Sequence, residues 1–391
     1  MNSPLPAPGA ALPHYVSRAP FDAQSIDAMT EDQSRFYLAS QLQLMFWKFK
    51  RHRLALYSGY FLAAMYSVIL LCEVLAPYGL HERNVDFIHA PPQQIHLFHD
   101  GNFIGPFVYG RDRSLDMDAL RRVYTDNPDS IQPIRFLCKG SPYEFWGLWK
   151  GDYHLFCPAK DGQLFLLGTD RLGRDMLSRI IYGARVSLTI GLLGISVSFV
   201  LGILIGGLAG YHGGWLDLVV QRVIEVLQSL PSIPLWMALA AIMPVTWSPI
   251  IVYFGITIIL GTLDWTGLAR AVRSKLFSLR EEEYVLAAQL MGARSGRVIF
   301  RHLIPGFMSH LIATATLSIP GMILGETALS FLGLGLRQPI TSWGILLTEA
   351  KNVSVVALYP WLLFPMVPVV LVILAFSFLG DGLRDAADPY H

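Results

Sequence analysis

Six long apolar stretches decide what this 391-residue chain can fold into. A helix of about 20 apolar residues crosses the roughly 30 Å hydrocarbon core of a bilayer. The stretches lie at about Leu54–Ala76, Val186–Ala209, Leu218–Met243, Ile250–Trp265, Phe307–Ala328 and Val356–Leu379. Backbone amides and carbonyls find no water at that depth, so a spanning segment of this length satisfies them within its own helix. The sequence therefore predicts an all-α polytopic membrane protein with six transmembrane helices. The third stretch carries Arg222 and Glu225 near its start and Pro231 and Pro234 further on; it is expected to bend or break at the prolines. A 53% hydrophobic, 15% charged composition belongs with this class, and a net charge of +1 offers no basic surface for nucleic acid.

Lysine and arginine near span ends orient such a protein, because cytoplasmic loops carry the excess. "WKFKRHR", Trp47 to Arg53, precedes the first span, and Arg270, Arg273, Lys275, Arg280, Arg294, Arg297 and Arg301 lie between the fourth and fifth. Both clusters fall on one side if every stretch crosses, which predicts that both termini are cytoplasmic. The Pro- and Ala-rich start, "MNSPLPAPGAALPHYVSRAPFDAQ", lacks the basic lead and apolar core of a cleaved signal peptide and reads as a disordered tail. Ahead of the first span, Phe36, Leu42, Met45, Phe46 and Phe49 recur at helical spacing. They fit an interfacial helix, and equally a plain extension of the span.

The expected domains are a cytoplasmic tail and interfacial helix over 1–53, the first span over 54–76, an extracytoplasmic folded insertion over 77–181, and a five-helix core over 182–391 with a cytoplasmic loop at 267–305. Aromatic clusters such as "PYEFWGLWKGDYHLF" could give the insertion a modest core. Disulfides persist outside the cytoplasm, so Cys138 and Cys157, which close a short loop there, are expected to be bonded.

Chemistry is missing elsewhere. The sequence holds no phosphate-cradling Gly-rich loop ending in Gly-Lys-Ser/Thr, no HExxH and no GxSxG. Glu73 and Asp264 lie near span ends and are expected to meet water, while Arg222 and Glu225 can pair on one helix. Glu326 is the most embedded acid, and embedded charge is costly. It is a candidate for the bundle interior, the pore or a subunit interface. Gly202, Gly206 and Gly210 follow the small-xxx-small spacing that lets helices approach closely.

The loop between the fourth and fifth spans contains "SLREEEYVLAAQLMGARSGRVIFRHLIPG". Ser278 followed by Glu281 has capping-box spacing, the three glutamates suit the positive end of a helix, and Gly292 can end it in a left-handed conformation. A helix over about Leu279–Met291 is predicted, then a second one rising through "RVIFRHLIP". Tyr284, Ala287, Ala288 and Met291 recur at i, i+3, i+4 and i+7, giving one apolar face with small residues at its centre. Such a face can enter a groove on another protein, or pack on its own membrane domain.

Leu286, Ala287, Ala288, Gly292, Ile304 and Pro305 resemble the EAA loop of permease subunits in ATP-binding-cassette importers, with Leu286 where that motif has Glu and Ile304 where it has Leu. "LLGTDRLGRDMLSRIIYGARVSL" and "ALSFLGLGLRQPITSWG" are similar to segments of the dipeptide, oligopeptide and nickel branch, and the first span resembles that of its C-type permeases. The resemblance covers about Leu166 to Pro389. It implies a non-enzymatic transport subunit of a bacterial inner membrane. Its implied partners are a second homologous permease, two ATPases that carry ATP and Mg, and an extracytoplasmic solute-binding protein. It also implies a surrounding of membrane lipid and no cofactor in this chain. The resemblance implies that the helix bearing Tyr284, Ala287, Ala288, Met291 and Gly292 docks on the ATPase. Peptides are the implied cargo, with oligosaccharides or opines as the alternative. The rival class is a stand-alone secondary transporter or channel, which would call for repeat symmetry and several embedded ionisable groups.

Overall fold

The computed structural model describes residues 38–39, 41–117, 121–160, 162–244 and 246–387. The Pro- and Ala-rich tail and Phe36 lie outside the described residues. The chain divides into two units, Met1–Leu44 and Met45–His391, and helix α1 (Gln41–Arg51) crosses their boundary.

Five helices are long and apolar enough to cross a membrane, and a bent pair makes a sixth candidate. They are α2 (Arg53–Leu70), α4 (Met176–His212), the pair α5 (Gly214–Ser229) and α6 (Ser232–Ala241), α7 (Pro249–Leu279), α9 (Met308–Leu332) and the final segment Pro360–Ala387. The regular part of that segment is α11 (Met366–Ala387). The α5–α6 pair bends by 88° at Leu230–Pro231, where proline cannot continue the amide ladder. The first span ends earlier than its apolar run, at Leu70, and a short helix α3 (Cys72–Leu75) follows a break at Leu71. The sixth starts later, because Tyr359 and Pro360 interrupt the run and Val353–Leu358 forms a separate short helix.

The helices meet through small residues. A side chain at Gly202 would strike Leu268 at 2.9 Å, one at Gly206 the backbone of Ala269, and one at Gly210 the carbonyl of Arg273 at 2.8 Å. The small-residue run thus lets α4 and α7 pack backbone to backbone. Gly380 and Gly382 leave room on α11 for the side chains of Leu317 of α9 and Ala55 of α2. The main apolar core lies among α2, α4, α7, α9 and α11, with Leu188, Ile190, Ile256, Leu260, Ile323 and Val372 fully enclosed.

Between α3 and α4 the chain is β rather than helical, so the all-α expectation holds only for the membrane core. Strands β1 (His96–His99), β2 (Asn102–Asp116) and β3 (Arg121–Pro133) form one antiparallel sheet in that order, and β4 (Arg135–Phe145) pairs with β5 (Trp149–Cys157) as a separate hairpin. Aromatic and branched residues interleaved with polar ones favour a pleated, half-buried surface. The apolar-run search is blind to this alternation. Cys138 and Cys157 are joined by a disulfide, Cα to Cα 6.3 Å, at the hairpin end away from its turn.

Candidate functional site

Helix α7 does not stop at the expected cap. It runs through Ser278 to Leu279, and the amide of Arg280 still bonds to the Leu276 carbonyl at 3.0 Å. Ser278 is therefore helical interior, and the Ser278–Glu281 capping box does not form. The helix arriving from upstream already bonds the Arg280 amide, so no helix starts at Ser278. Arg280 ends the helix with its guanidinium 4.2 Å above the Phe277 ring, and after a two-residue turn a shorter helix α8 (Glu283–Leu290) begins.

Val285 faces inward from α8, 0% exposed, onto a cluster built from Val272 and Leu276 of α7 and from Val298, Ile299 and Leu303 downstream, and Ala288 is buried too, at 3% exposed. Gln289 donates to the Tyr211 hydroxyl at 3.0 Å, tying α8 to the end of α4. Gly292 takes φ +84°, and the amide of Ala293 reaches back to the Ala288 carbonyl at 3.0 Å, closing the helix. Beyond it, Ser295–Arg297, a π-helical turn Val298–Leu303 and Ile304–Gly306 rise to a break at Phe307.

The outward face differs from the one read at helical spacing. Tyr284, Ala287, Met291 and Gly292 are exposed, but Ala288 is not. Leu290 at 89%, Met291 at 82% and Leu286 at 47% make the apolar ridge instead. The inward stripe Val285–Ala288 is set by the cluster beneath it, so the small-residue face is partly an internal packing face. Leu290 was missed because it lies off the stripe. The signal available for it was a leucine beside a glycine C-cap, with nothing in sequence to show that it lacks a partner.

Glu326 is 0% exposed and enclosed by this chain alone. Ser187 of α4 and Ser330 of α9 donate to its carboxylate at 3.0 and 2.8 Å, and the Ser187 oxygen accepts from the backbone amide of Trp343 at 3.1 Å. It is an internal staple between α4, α9 and α10 (Trp343–Leu347), the bundle-interior placement among those expected for it. Glu73 is also corrected. It is 3% exposed and pairs with Arg185 at 2.5 Å instead of meeting water. Arg222 and Glu225 do pair, at 2.7 Å.

"GTDRLGRDMLSR" closes on itself where the insertion meets α4. Buried Asp170 accepts from the amides of Leu172 and Arg174 at 2.8 and 2.9 Å and from the guanidinium groups of Arg174 and Arg179 at 2.7 and 2.5 Å. Thr169 accepts from the Ala90 amide at 2.7 Å and donates to the Phe87 carbonyl, while Trp361 donates to the Thr169 carbonyl at 3.0 Å. Asp175 caps α4 through the Ser178 amide at 2.7 Å, and burial pushes its carboxyl up to about 7. This knot fixes the insertion to the membrane core. Among the described residues, no group of three or more histidine, cysteine or acidic side chains has metal-site geometry.

Residues 202–390 match the family described as "Binding-protein-dependent transport system inner membrane component", and residues 40–92 match "N-terminal TM domain of oligopeptide transport permease C". The oligopeptide transport system permease protein OppC of Haemophilus influenzae is 40% identical over 319 residues, covering 79% of this chain and 96% of its own. The chain belongs to this permease family. The dipeptide transport system permease proteins DppC of Alkalihalophilus pseudofirmus and Bacillus subtilis are each 40% identical, over 57% of this permease and 71% and 68% of their own lengths. A solved chain of the MetNI methionine ABC transporter in inward-facing conformations is 18% identical with a TM-score of 0.42, over 55% of this permease and 98% of that chain. The permease is a multi-pass inner-membrane transport subunit rather than an enzyme, and its α8 loop lies inside the matched family region.

Proposed function

We propose that this permease forms half of a pore that imports peptides, driven by two ATPases, one of which docks on α8, and supplied by an extracytoplasmic binding protein, with a second homologous permease completing the pore. The observation that carries the reading is the exposed ridge Leu286, Leu290 and Met291 on a helix whose Val285 and Ala288 are buried. Exposed aliphatic and thioether side chains on a short helix are the anchors of a helix-in-groove contact. α4 has 37 residues and α7 has 31, so at 1.5 Å per residue they run about 55 and 46 Å, beyond a hydrocarbon core of about 30 Å. Their shared end lifts α8 clear of the bilayer.

The arginines around α8 and the basic run before α2 make that end cytoplasmic by the positive-inside rule. Both termini are then cytoplasmic, and the β-rich insertion is extracytoplasmic, since it joins the opposite end of α4. Ile95, Phe98, Phe103 and Ile104, exposed around the β1–β2 turn, offer a contact for the binding protein. Peptide cargo follows from the peptide permeases to which the chain is similar over most of its length.

The test is uptake by proteoliposomes that hold both permeases and both ATPases. A labelled oligopeptide should accumulate only with ATP inside the ATPase-facing compartment and binding protein in the other. Uptake by this chain alone, or of an oligosaccharide in preference to peptide, would contradict the proposal.

A further inference from the structure

We infer that the turn of the β4–β5 hairpin, Phe145–Trp149, is a membrane anchor that rests in the lipid interface beside the end of α2. Two contacts place it. The Trp146 indole donates to the carbonyl of Leu70, the last residue of the first span, at 3.1 Å, and the Trp146 amide reaches the Glu73 carboxylate at 3.4 Å. Further up the hairpin, the ring nitrogens of His154 lie 2.6 Å from the Ala76 carbonyl oxygen and 2.8 Å from that of Ser141. From Ala76 back to Leu70 the chain approaches the bilayer, and over the same interval the hairpin passes from His154 to its turn. The turn therefore points at the membrane, with the disulfide at the far end.

What the turn presents is apolar. Leu148 is 71% exposed, Trp149 66% and Trp146 42%, and the span end that Trp146 touches is also exposed and apolar, with Leu70 at 58% and Leu71 at 47%. Tryptophan concentrates at the membrane–water boundary because its ring is apolar and its N–H polar. Trp146 also adopts φ +51°, followed by Gly147 at +70°, a turn geometry that ordinarily takes Asn or Gly at both positions. A bulky residue there is retained against its backbone preference, which fits selection for its side chain. The Arg185 guanidinium lies 5.1 Å from the Trp146 ring and Phe145 stacks on Trp149 at 6.1 Å, so the turn is braced.

The partner is the interfacial zone of the bilayer, not an anionic surface as such. Lys150 stands opposite Glu144 across the hairpin, so the turn carries balanced charge and its affinity comes from apolar area. The anchor would hold the insertion at a fixed height above the membrane whichever side it occupies.

The test uses a single spin label on Leu148→Cys in the full importer, reconstituted into nanodiscs of phosphatidylethanolamine and phosphatidylglycerol. Cys72 is buried and Cys138 and Cys157 are bonded, so the new thiol takes the label. Lys139→Cys, higher on the same hairpin, is the water control. Oxygen collisions should exceed nickel-chelate collisions at position 148 and fall below them at 139, with no change when phosphatidylcholine replaces the anionic lipid. Equal nickel access at both positions puts the turn in water and overturns the proposal. Shielding of position 148 from both reagents puts it against protein and overturns it equally.

Discussion

Truncating Leu290 separates docking from folding. Its side chain is 89% exposed, so nearly all of it is free to be buried by a partner. Burying a leucine contributes about 1.5–3 kcal/mol, and cutting it to alanine should remove about 2 kcal/mol of that. At 1.4 kcal/mol per tenfold, the ATPases should bind Leu290→Ala permease pairs about 30-fold more weakly. Nothing in the permease itself should change, because the side chain has almost no intrachain burial to lose. Val285→Ala is the complement. Val285 is 0% exposed within the α7–α8 cluster, and losing two buried methyl groups with partial collapse costs about 2 kcal/mol of fold stability. The assay is a titration of detergent-solubilised permease pair with ATPase, run beside thermal unfolding of the permease alone. Leu290→Ala should move the affinity and leave the unfolding midpoint in place, whereas Val285→Ala should lower the midpoint. Unchanged ATPase affinity in Leu290→Ala would refute the docking ridge.

Gly206→Ala forces a methyl into the Ala269 backbone and should cost about 1–3 kcal/mol by overpacking, read as a lower unfolding midpoint; Gly321→Ala, where a methyl meets nothing within 4 Å, should leave it unchanged or raise it. Reducing the Cys138–Cys157 bond, which spans 19 residues, should remove about 3 kcal/mol of chain-entropy stabilisation from the hairpin, seen as faster tryptic cleavage at Lys139 and Lys150 with the membrane core intact. Asp175 is held at about 7 by burial, above its unfolded value, so the native state binds the extra proton. Stability should then fall as pH rises from below 4 through about 7. Between pH 6 and 8 the wild type should lose unfolding temperature with rising pH. Asp175→Asn, which keeps an oxygen for the Ser178 amide, should show less of that loss.

Sequence made the membrane core legible because long apolar runs have one physical solution in lipid, and the α5–α6 break was legible because proline removes an amide. Gly292 was readable for a similar reason, since a left-handed C-cap selects glycine. Ser278 was misleading. Capping-box spacing states what a serine can do if a helix starts there, and α7 arrives already helical from the membrane. The acids were harder. Glu73 is paired with Arg185, 112 residues away, and Glu326 is hydrogen-bonded by hydroxyls on two helices, pairings that no local pattern contains. The insertion was legible as a folded segment but its strands were not, because half-buried strands with frequent Gly and Pro give no run for a hydropathy window to find. On α8, periodicity correctly found an apolar helix but could not tell its supported side from its free side. Val285 and Leu290 are both aliphatic, and only the tertiary cluster separates them.

The account turns on α8 touching an ATPase, and site-specific cross-linking tests this most directly. Leu290→Cys in the assembled importer should form a disulfide cross-link with an engineered cysteine lining the ATPase groove, and should resist a membrane-impermeant maleimide added from the binding-protein side. A Leu290→Cys permease that is labelled from the binding-protein side, or that cross-links to no ATPase position in a fully assembled and transport-active importer, would contradict the central claim.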